Sequence, residues 1–515
     1  MPLMLSAAAV VILGSAASAA TIYPLHRSEV MAGQAFDLKV ELDTATAKGP
    51  VGVTVCGRPL ETVSAEDGAG LSALWARGVR LSRLGPCAVE VSGAGAPARV
   101  DWLVYGAAGP AKARNVILLI GDGMSLAHRA AARAMGPGHS AGRANARLAM
   151  DDMPHTALVG TSASDSLLPD SAQTATAYAM GLKTAVESLG VMADRTPDPF
   201  DDPRAEGLLA LAARQGLARG LVTTASLLDA TPAAFYAHAR RRYDKEAIAG
   251  QFPQAAPEVA LGGGAQQLLP RAVPELRLAG WAVVESSPSL QEAAARPGTR
   301  RLLGVFADGN LAGVVERRAG RAPGQPGLVE MLDAALSVLA RDEEGFFLMA
   351  EGALIDKFSH DLDWERAVMD TLEFDQAVAK AKEFALRDGR TLVLVLSDHT
   401  QGASLSGMLR EVLPGPAMRD KVGTYDWAGY PSYSDADKDG YPDRLDVPRR
   451  LAFFFSAYPD HYETWGPKLD GPFRPTAPLA GGLYGANERY RAVPGAVFRE
   501  GNIPRALEDA VHSAE

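Results

Sequence analysis

From Asn115 onward the chain is punctuated by short runs that are apolar at nearly every position, with longer amphipathic stretches between them. A strand with one wet face alternates apolar and polar residues. A strand apolar on both faces belongs in a mostly parallel sheet with helices covering either side. The runs read as strands are NVILLI (115–120), TALVGT (156–161), ARGLVTT (218–224), EVALGG (258–263), GFFLMA (345–350), TLVLVL (391–396) and LAFFFSA (451–457). The clearest helix, Asp363 to Leu386, carries apolar residues at helical spacing. The expected fold class is therefore α/β, a mostly parallel central sheet with helices on both faces, and ligands collect beyond the carboxyl ends of such strands.

Residues 20–106 follow a different rule. Short alternating segments such as AFDLKVEL, CAVEVSG and RVDWLVY predict an antiparallel β-sandwich of immunoglobulin-like size, joined through a linker at 107–114 to the α/β domain over 115–515. The apolar run 3–19 closes on Ala17-Ser18-Ala19 and reads as a secretory signal, residues 1–19, although no Lys or Arg precedes it. No second apolar stretch of about 18 residues follows, so the expectation is no membrane span and a periplasmic or secreted protein. Cys56 and Cys87 are the only cysteines. An oxidising compartment favours a bridge between them, the alternative being two buried thiols. A formal charge of -10 leaves no basic footprint for nucleic acid. A site for anionic phosphates would need local positive charge, which bound divalent metals supply.

Three strand candidates end in ligand-type side chains. NVILLI is followed by Gly121-Asp122-Gly123-Met124, GFFLMA by Glu351-Gly352-Ala353-Leu354-Ile355-Asp356 with His360 after it, and TLVLVL by Ser397-Asp398-His399-Thr400. One such Asp is ordinarily a helix cap or turn residue. Three together suit the oxygen and nitrogen ligands that zinc accepts, with Asp356 and His360 at i, i+4 on one helical face. The small-residue segment Asp170-Ser171-Ala172-Gln173-Thr174 through Gly181 predicts a tightly packed helix. Either Asp170 or Ser171 merely caps it, or the Ser171 hydroxyl lies where helix-start N–H groups favour a phosphate and acts as nucleophile. Thr231 offers an oxygen to a hard cation, and one arginine of Arg240-Arg241-Arg242 could fork onto phosphate; spacing alone does not choose which.

In order along the chain, GDGM, DSAQTATAYAMG, DATPAAFYAHARRR, EVALGGG, EGALIDKFSHD and SDHTQG resemble the motifs of the alkaline phosphatases. The resemblance implies a phosphomonoesterase using two zinc ions and one magnesium, with Ser171 as nucleophile and Arg242 as phosphate clamp. It further implies Asp356 and His360 on the first zinc, Asp398 and His399 on the second, and Asp122 between that zinc and magnesium. Thr231 and Glu351 would complete the magnesium set, and Asp229 and Lys357 would tune the nearby water and phosphate. The third ligand of the first zinc would be His512, in VHSAE after REGNIPR, with His461 the only substitute nearby. The chain stops three residues later, where the family usually continues, which is read as a shortened C-terminus. The family is often dimeric, which makes a homodimer possible, but the oligomeric state is not legible in the sequence.

A second metal signal lies in an insertion at about 404–450. Asp435, Asp437, Asp439, Tyr441, Asp443 and Asp446 occupy positions 1, 3, 5, 7, 9 and 12 of a loop with Gly440 at position 6, the arrangement of a structural calcium loop with Asp in place of the usual Glu. A solvated acidic turn is the plainer alternative. The competing functions are a phosphodiesterase or sulfatase with the same metal ligands, and an inactive calcium-dependent surface protein.

Overall fold

The structure is a computed structural model that describes residues 20–455, apart from 45–49, 69–70, 94–96, 108, 111, 197, 199, 256, 362, 411–421 and 424–428. The signal segment 1–19, His461, His512 and the end of the LAFFFSA run lie outside the described residues. The chain divides into two units, Met1–Ala108 with Met192–Glu206, and Gly109–Val191 with Gly207–Glu515.

In the first unit, period-2 alternation produces two sheets. One orders Ala20–Tyr23, Ala35–Asp43, Leu71–Arg80 and Val63–Gly68, all antiparallel. The other orders Glu29–Met31, Ala98–Tyr105, Gly85–Ser92, Gly52–Val55 and Arg58–Leu60, antiparallel except for its first pair. Along Gly85–Ser92 and Ala98–Tyr105 every second side chain is buried, among them Val89, Val91, Val100 and Trp102. The inner faces meet where Phe36 lies edge-on to Trp102, ring centroids 5.4 Å apart. Cys56 and Cys87 are disulfide-bonded, and the bridge ties the turn after Gly52–Val55 to the neighbouring strand Gly85–Ser92 of the same sheet. It does not pin sheet to sheet, as the antibody-domain bridge does.

The segment Met192–Glu206, read from sequence as part of the catalytic domain, belongs to this unit. Ala205 forms a β-bridge with Phe36, Asp37 N–H donates to the Arg204 carbonyl at 2.7 Å, and Lys39 pairs with Asp194 at 2.6 Å. Its composition carries no periodic signal, so only long-range pairing could reveal where it docks.

The second unit is built on seven parallel strands: β1 (Asn115–Gly121), β2 (Ala218–Ser226), β3 (Val259–Gly263), β4 (Ala282–Val284), β5 (Leu302–Val305), β6 (Phe346–Gly352) and β7 (Thr391–Leu396), in the order β4-β5-β3-β2-β6-β1-β7. Ile117 and Leu119 of β1 face one hydrophobic core while Leu118 and Ile120 face a second. That two-sided burial is why the run is apolar throughout. Two expectations fail here. TALVGT forms no strand: its Leu158 is fully exposed, 101 %, in an irregular stretch. The short strands β4 and β5, three and four residues long, were too brief to register as runs. LAFFFSA does form a strand, but in a separate antiparallel sheet of β8 (Ala403–Arg410), β9 (Val422–Gly423) and β10 (Arg449–Phe455).

Candidate active site

Sheet order decides which side chains meet. Adjacent strands β2, β6, β1 and β7 end side by side, and the parallel register sets Glu351 opposite both Thr223 and Ile120. Asp122 follows β1 directly, Glu351 is the penultimate residue of β6, and Asp398-His399 come just after β7. Asp122, Asp398 and His399 bring ligand atoms within 4.8 Å of one another, all buried. Asp398 Oδ1 accepts from Gly123 N–H at 3.0 Å and His399 N–H at 2.9 Å. Gly123 has φ +63°, and a Cβ there would lie 2.7 Å from Asp356 Oδ1, so glycine is required where the chain turns past Asp356 after β1.

The nucleophile candidate sits on α2 (Ser171–Met180), with α1 (Leu126–Met135) before it. Asp170 is the cap: its Oδ1 accepts from Gln173 N–H at 3.0 Å, and Gly181 closes the helix with φ +75°. The Ser171 hydroxyl is thereby released from capping. Its Oγ lies 3.1 Å from His399 Nε2 and 3.5 Å from Asp122 Oδ1.

Cations gather on the opposite flank. Arg242 reaches Asp170 Oδ2 at 3.3 Å and Asp229 Oδ1 at 3.5 Å. Asp229 precedes α3 (Ala230–Ala234), and its Oδ2 is 3.1 Å from Lys357 Nζ. Lys357, on α4 (Leu354–His360), also lies 3.4 Å from Asp356 and 3.9 Å from Asp122. On the same helix His360 Nε2 is 3.2 Å from Asp356 Oδ2.

The electrostatics divide the carboxylates in two. Burial and the neighbouring Asp122 push Glu351 up to about 8, burial pushes Asp398 to about 7, and burial with Asp356 and Asp398 holds Asp122 well above the usual carboxylate range. At Asp229 and Asp356 burial acts the same way. There Lys357, helped at Asp229 by Arg242 and at Asp356 by His360, outweighs it and holds both carboxyls low.

Three buried polar atoms here have no hydrogen-bond partner among the described residues: Asp398 Oδ2, His399 Nδ1 and Thr231 Oγ1. Orphaned buried donors and acceptors are rare, since each forfeits its solvation for nothing. Oxygen and imidazole nitrogen atoms left open beside carboxylates short of positive charge form a donor set that fits divalent cations. The alkaline phosphatase sequence profile matches residues 113–440. The chain belongs to the alkaline phosphatase family. It is 32% identical over 381 residues to the alkaline phosphatase of Escherichia coli, covering 64% of this chain and 78% of that one. It is 38% identical over 365 residues to a streptomycin-6-phosphate phosphatase of Streptomyces griseus, covering 60% and 77%. The alkaline phosphatase of the Antarctic bacterium TAB5 superposes with a TM-score of 0.52 at 26% identity, covering 67% of this chain and 91% of that one. A variant of that enzyme was solved with Mg in its M3 site, at TM-score 0.50 and 25% identity.

Within this alkaline phosphatase fold, sequence reading passed over two supporting residues. Gln401 is buried and donates through Nε2 to Asp356 Oδ1 at 2.6 Å, with His360 Nε2 at 3.4 Å, so it helps orient Asp356 and His360. Its place inside SDHTQG was the only available signal. Thr223 donates to Glu351 Oε2 at 2.5 Å, and only the β2–β6 register reveals that. The acidic loop is half assembled. Asp435, Asp437 and Asp443 converge within 4.8 Å. Asp439 turns Oδ2 to Arg318 at 2.5 Å, and Asp446 pairs with Arg450 at 2.7 Å, so these two are not gathered with the others. Tyr441 is buried and donates to Gln376 Oε1 at 3.3 Å, docking the loop on α5 (Trp364–Asp388).

Proposed function

We propose that this chain is a metal-dependent phosphomonoesterase that transfers the phosphoryl group of its substrate to Ser171 Oγ and then to water, releasing inorganic phosphate. The observation that carries the reading is the Ser171 hydroxyl, freed from capping by Asp170 and held 3.1 Å from His399 Nε2 among under-neutralised carboxylates. In the first half-reaction the bond from Ser171 Oγ to phosphorus forms as the ester P–O bond breaks; in the second, water reverses the exchange at the phosphoserine. Arg242 neutralises the non-bridging oxygens through its planar fork. The Ser171 and Ala172 N–H groups, which have no intrahelical acceptor, add to that neutralisation at the helix start.

Asp356 and His360 would hold the first zinc with His512, Asp122, Asp398 and His399 the second, and Asp122, Thr231 and Glu351 a magnesium. Bound there, these ions supply fixed positive charge that favours ionised oxygen on the nucleophile and the leaving group. Asp229 and Lys357 position the substrate and its water. Asp435, Asp437 and Asp443 support a structural calcium in the insertion, completed by Asp439, Tyr441 and Asp446 only if the Arg318 and Arg450 pairs open.

The disulfide supports an oxidising compartment and so the export signal in residues 1–19. No helix among the described residues is long and apolar enough to cross a membrane. The test is to assay the zinc- and magnesium-loaded protein on p-nitrophenyl phosphate, bis-p-nitrophenyl phosphate and p-nitrophenyl sulfate. Monoester turnover that a chelator abolishes, with an acid-trapped phosphoserine at Ser171, is the expected result. Preference for the diester or sulfate would replace the reading with one of its relatives, and no turnover when fully loaded would favour the inert protein.

A further inference from the structure

Lys245 is a residue that neither the sequence motifs nor the proposed chemistry uses, yet it lies against the site. It opens the helix Lys245–Ala255, and its Nζ is 3.6 Å from Asp229 Oδ1 and donates to the Leu228 carbonyl at 2.8 Å. A lysine in the first turn of a helix faces the positive end of the dipole, where an acid is favoured. Burial also pulls its ammonium below the usual lysine range, and Arg242 and Lys357 add repulsion. Asp229 is the attraction that offsets part of these penalties.

That carboxylate carries three cations: Arg242 at 3.5 Å and Lys245 at 3.6 Å on Oδ1, Lys357 at 3.1 Å on Oδ2. Two of the three have a second use in the proposed reaction. When a phosphate dianion arrives, Arg242 and Lys357 are drawn toward it, and the half-buried Asp229, its side chain 18% exposed, would lose two of its three counter-charges. Lys245, tethered to the Leu228 carbonyl, stays. We propose that Lys245 is a positioning residue for phosphate recognition: it keeps Asp229 neutralised and in place, so that Arg242 and Lys357 are free to turn to the substrate.

The proposal rests on the phosphatase reading, and the test separates the two. Wild type, Lys245→Met and Lys245→Arg, all metal-loaded, are compared for KM and kcat on p-nitrophenyl phosphate and for Ki of inorganic phosphate, with Tm recorded. Lys245→Met is expected to raise KM and Ki roughly five- to tenfold while kcat moves less than twofold, and Lys245→Arg to return both constants to within about twofold, as the loss of one charge-assisted contact predicts. A Ki within twofold of wild type in Lys245→Met overturns the proposal. So does a defect that Lys245→Arg shares in full, because that marks packing rather than charge. If wild type turns over no monoester, the phosphatase reading fails instead. Calorimetric titration of inorganic phosphate into wild type and Lys245→Met then decides the proposal by the same ratio.

Discussion

Around Lys39 in the sandwich, and around Asp122 at the sheet ends, carboxylates are buried to a similar depth, but only the first group is closed by the protein itself. Lys39 is wholly buried between Glu41 at 3.3 Å and Asp194 at 2.6 Å, beside the Trp75 ring at 4.8 Å. Glu41 also accepts from Tyr23 Oη and Arg195 N–H, and Asp194 from the Thr196 N–H and hydroxyl. Burial raises carboxyls in both groups, Glu41 as well as Glu351 and Asp398, but at the sheet ends Asp398 Oδ2, His399 Nδ1 and Thr231 Oγ1 are left open. Buried acids alone do not mark a metal site. Here the open oxygen and imidazole nitrogen atoms beside them are what fits a cation.

The sharpest break of this contrast is chemical. Ser171→Ala should lower kcat on p-nitrophenyl phosphate by roughly a thousandfold or more, whereas Lys39→Ala should leave the rate per folded molecule unchanged. A Ser171→Ala enzyme that keeps a tenth of its activity would remove the special status of the open cluster.

Next in size is the closed cluster's own stability. Lys39→Ala strands two buried carboxylates and should cost about 3–5 kcal/mol in urea unfolding; a loss below about 1 kcal/mol would show that the pair contributes little. Chelation should do the reverse. Stripping divalent metals removes binding free energy of about 2.7 kcal/mol per site held at a hundred times its Kd. Calorimetry should therefore show the catalytic unit melting several degrees lower while the Lys39 unit is unmoved.

The stripped protein also has a pH signature. Carboxyls whose folded pKa is raised to about 7 and about 8 bind protons more tightly folded than unfolded. Their contribution is fully present below the unfolded carboxylate range near pH 4 and is lost as pH rises through the folded values. Metal-free protein should thus be more stable at pH 5 than at pH 8.5, and zinc should remove or reverse that slope. The smallest effect belongs to the acidic loop. Calcium should raise Tm by a degree or two, and Asp437→Asn should reduce that shift without touching kcat; magnesium giving an equal shift would leave an ordinary acidic turn.

How far the residues alone could be read follows from the same contrast. Asp122, Glu351, Asp398 and His399 were legible because each follows an apolar run, and in a parallel sheet such runs all end at one edge. Lys39, Glu41 and Asp194 were illegible, since Asp194 stands more than 150 residues away in a segment without periodicity. TALVGT misled because apolar composition was taken for burial, and β4 and β5 were missed because three or four residues cannot establish a period.

The sequence by itself determined the material: which strands are apolar on both faces, which residue types stand at their ends, and that Gly123 and Gly181 fit conformations other residues resist. Tertiary structure decided the assignments. It made Asp170 the cap, leaving the Ser171 hydroxyl out of that role, and it put Thr223 behind Glu351 and Gln401 behind Asp356. It also gave Asp229 three cations, and divided buried acids into those the chain neutralises and those it leaves open. The physical reason is that chemistry at these sites depends on distances between residues remote in sequence, and those are fixed by strand order and register rather than by local pattern.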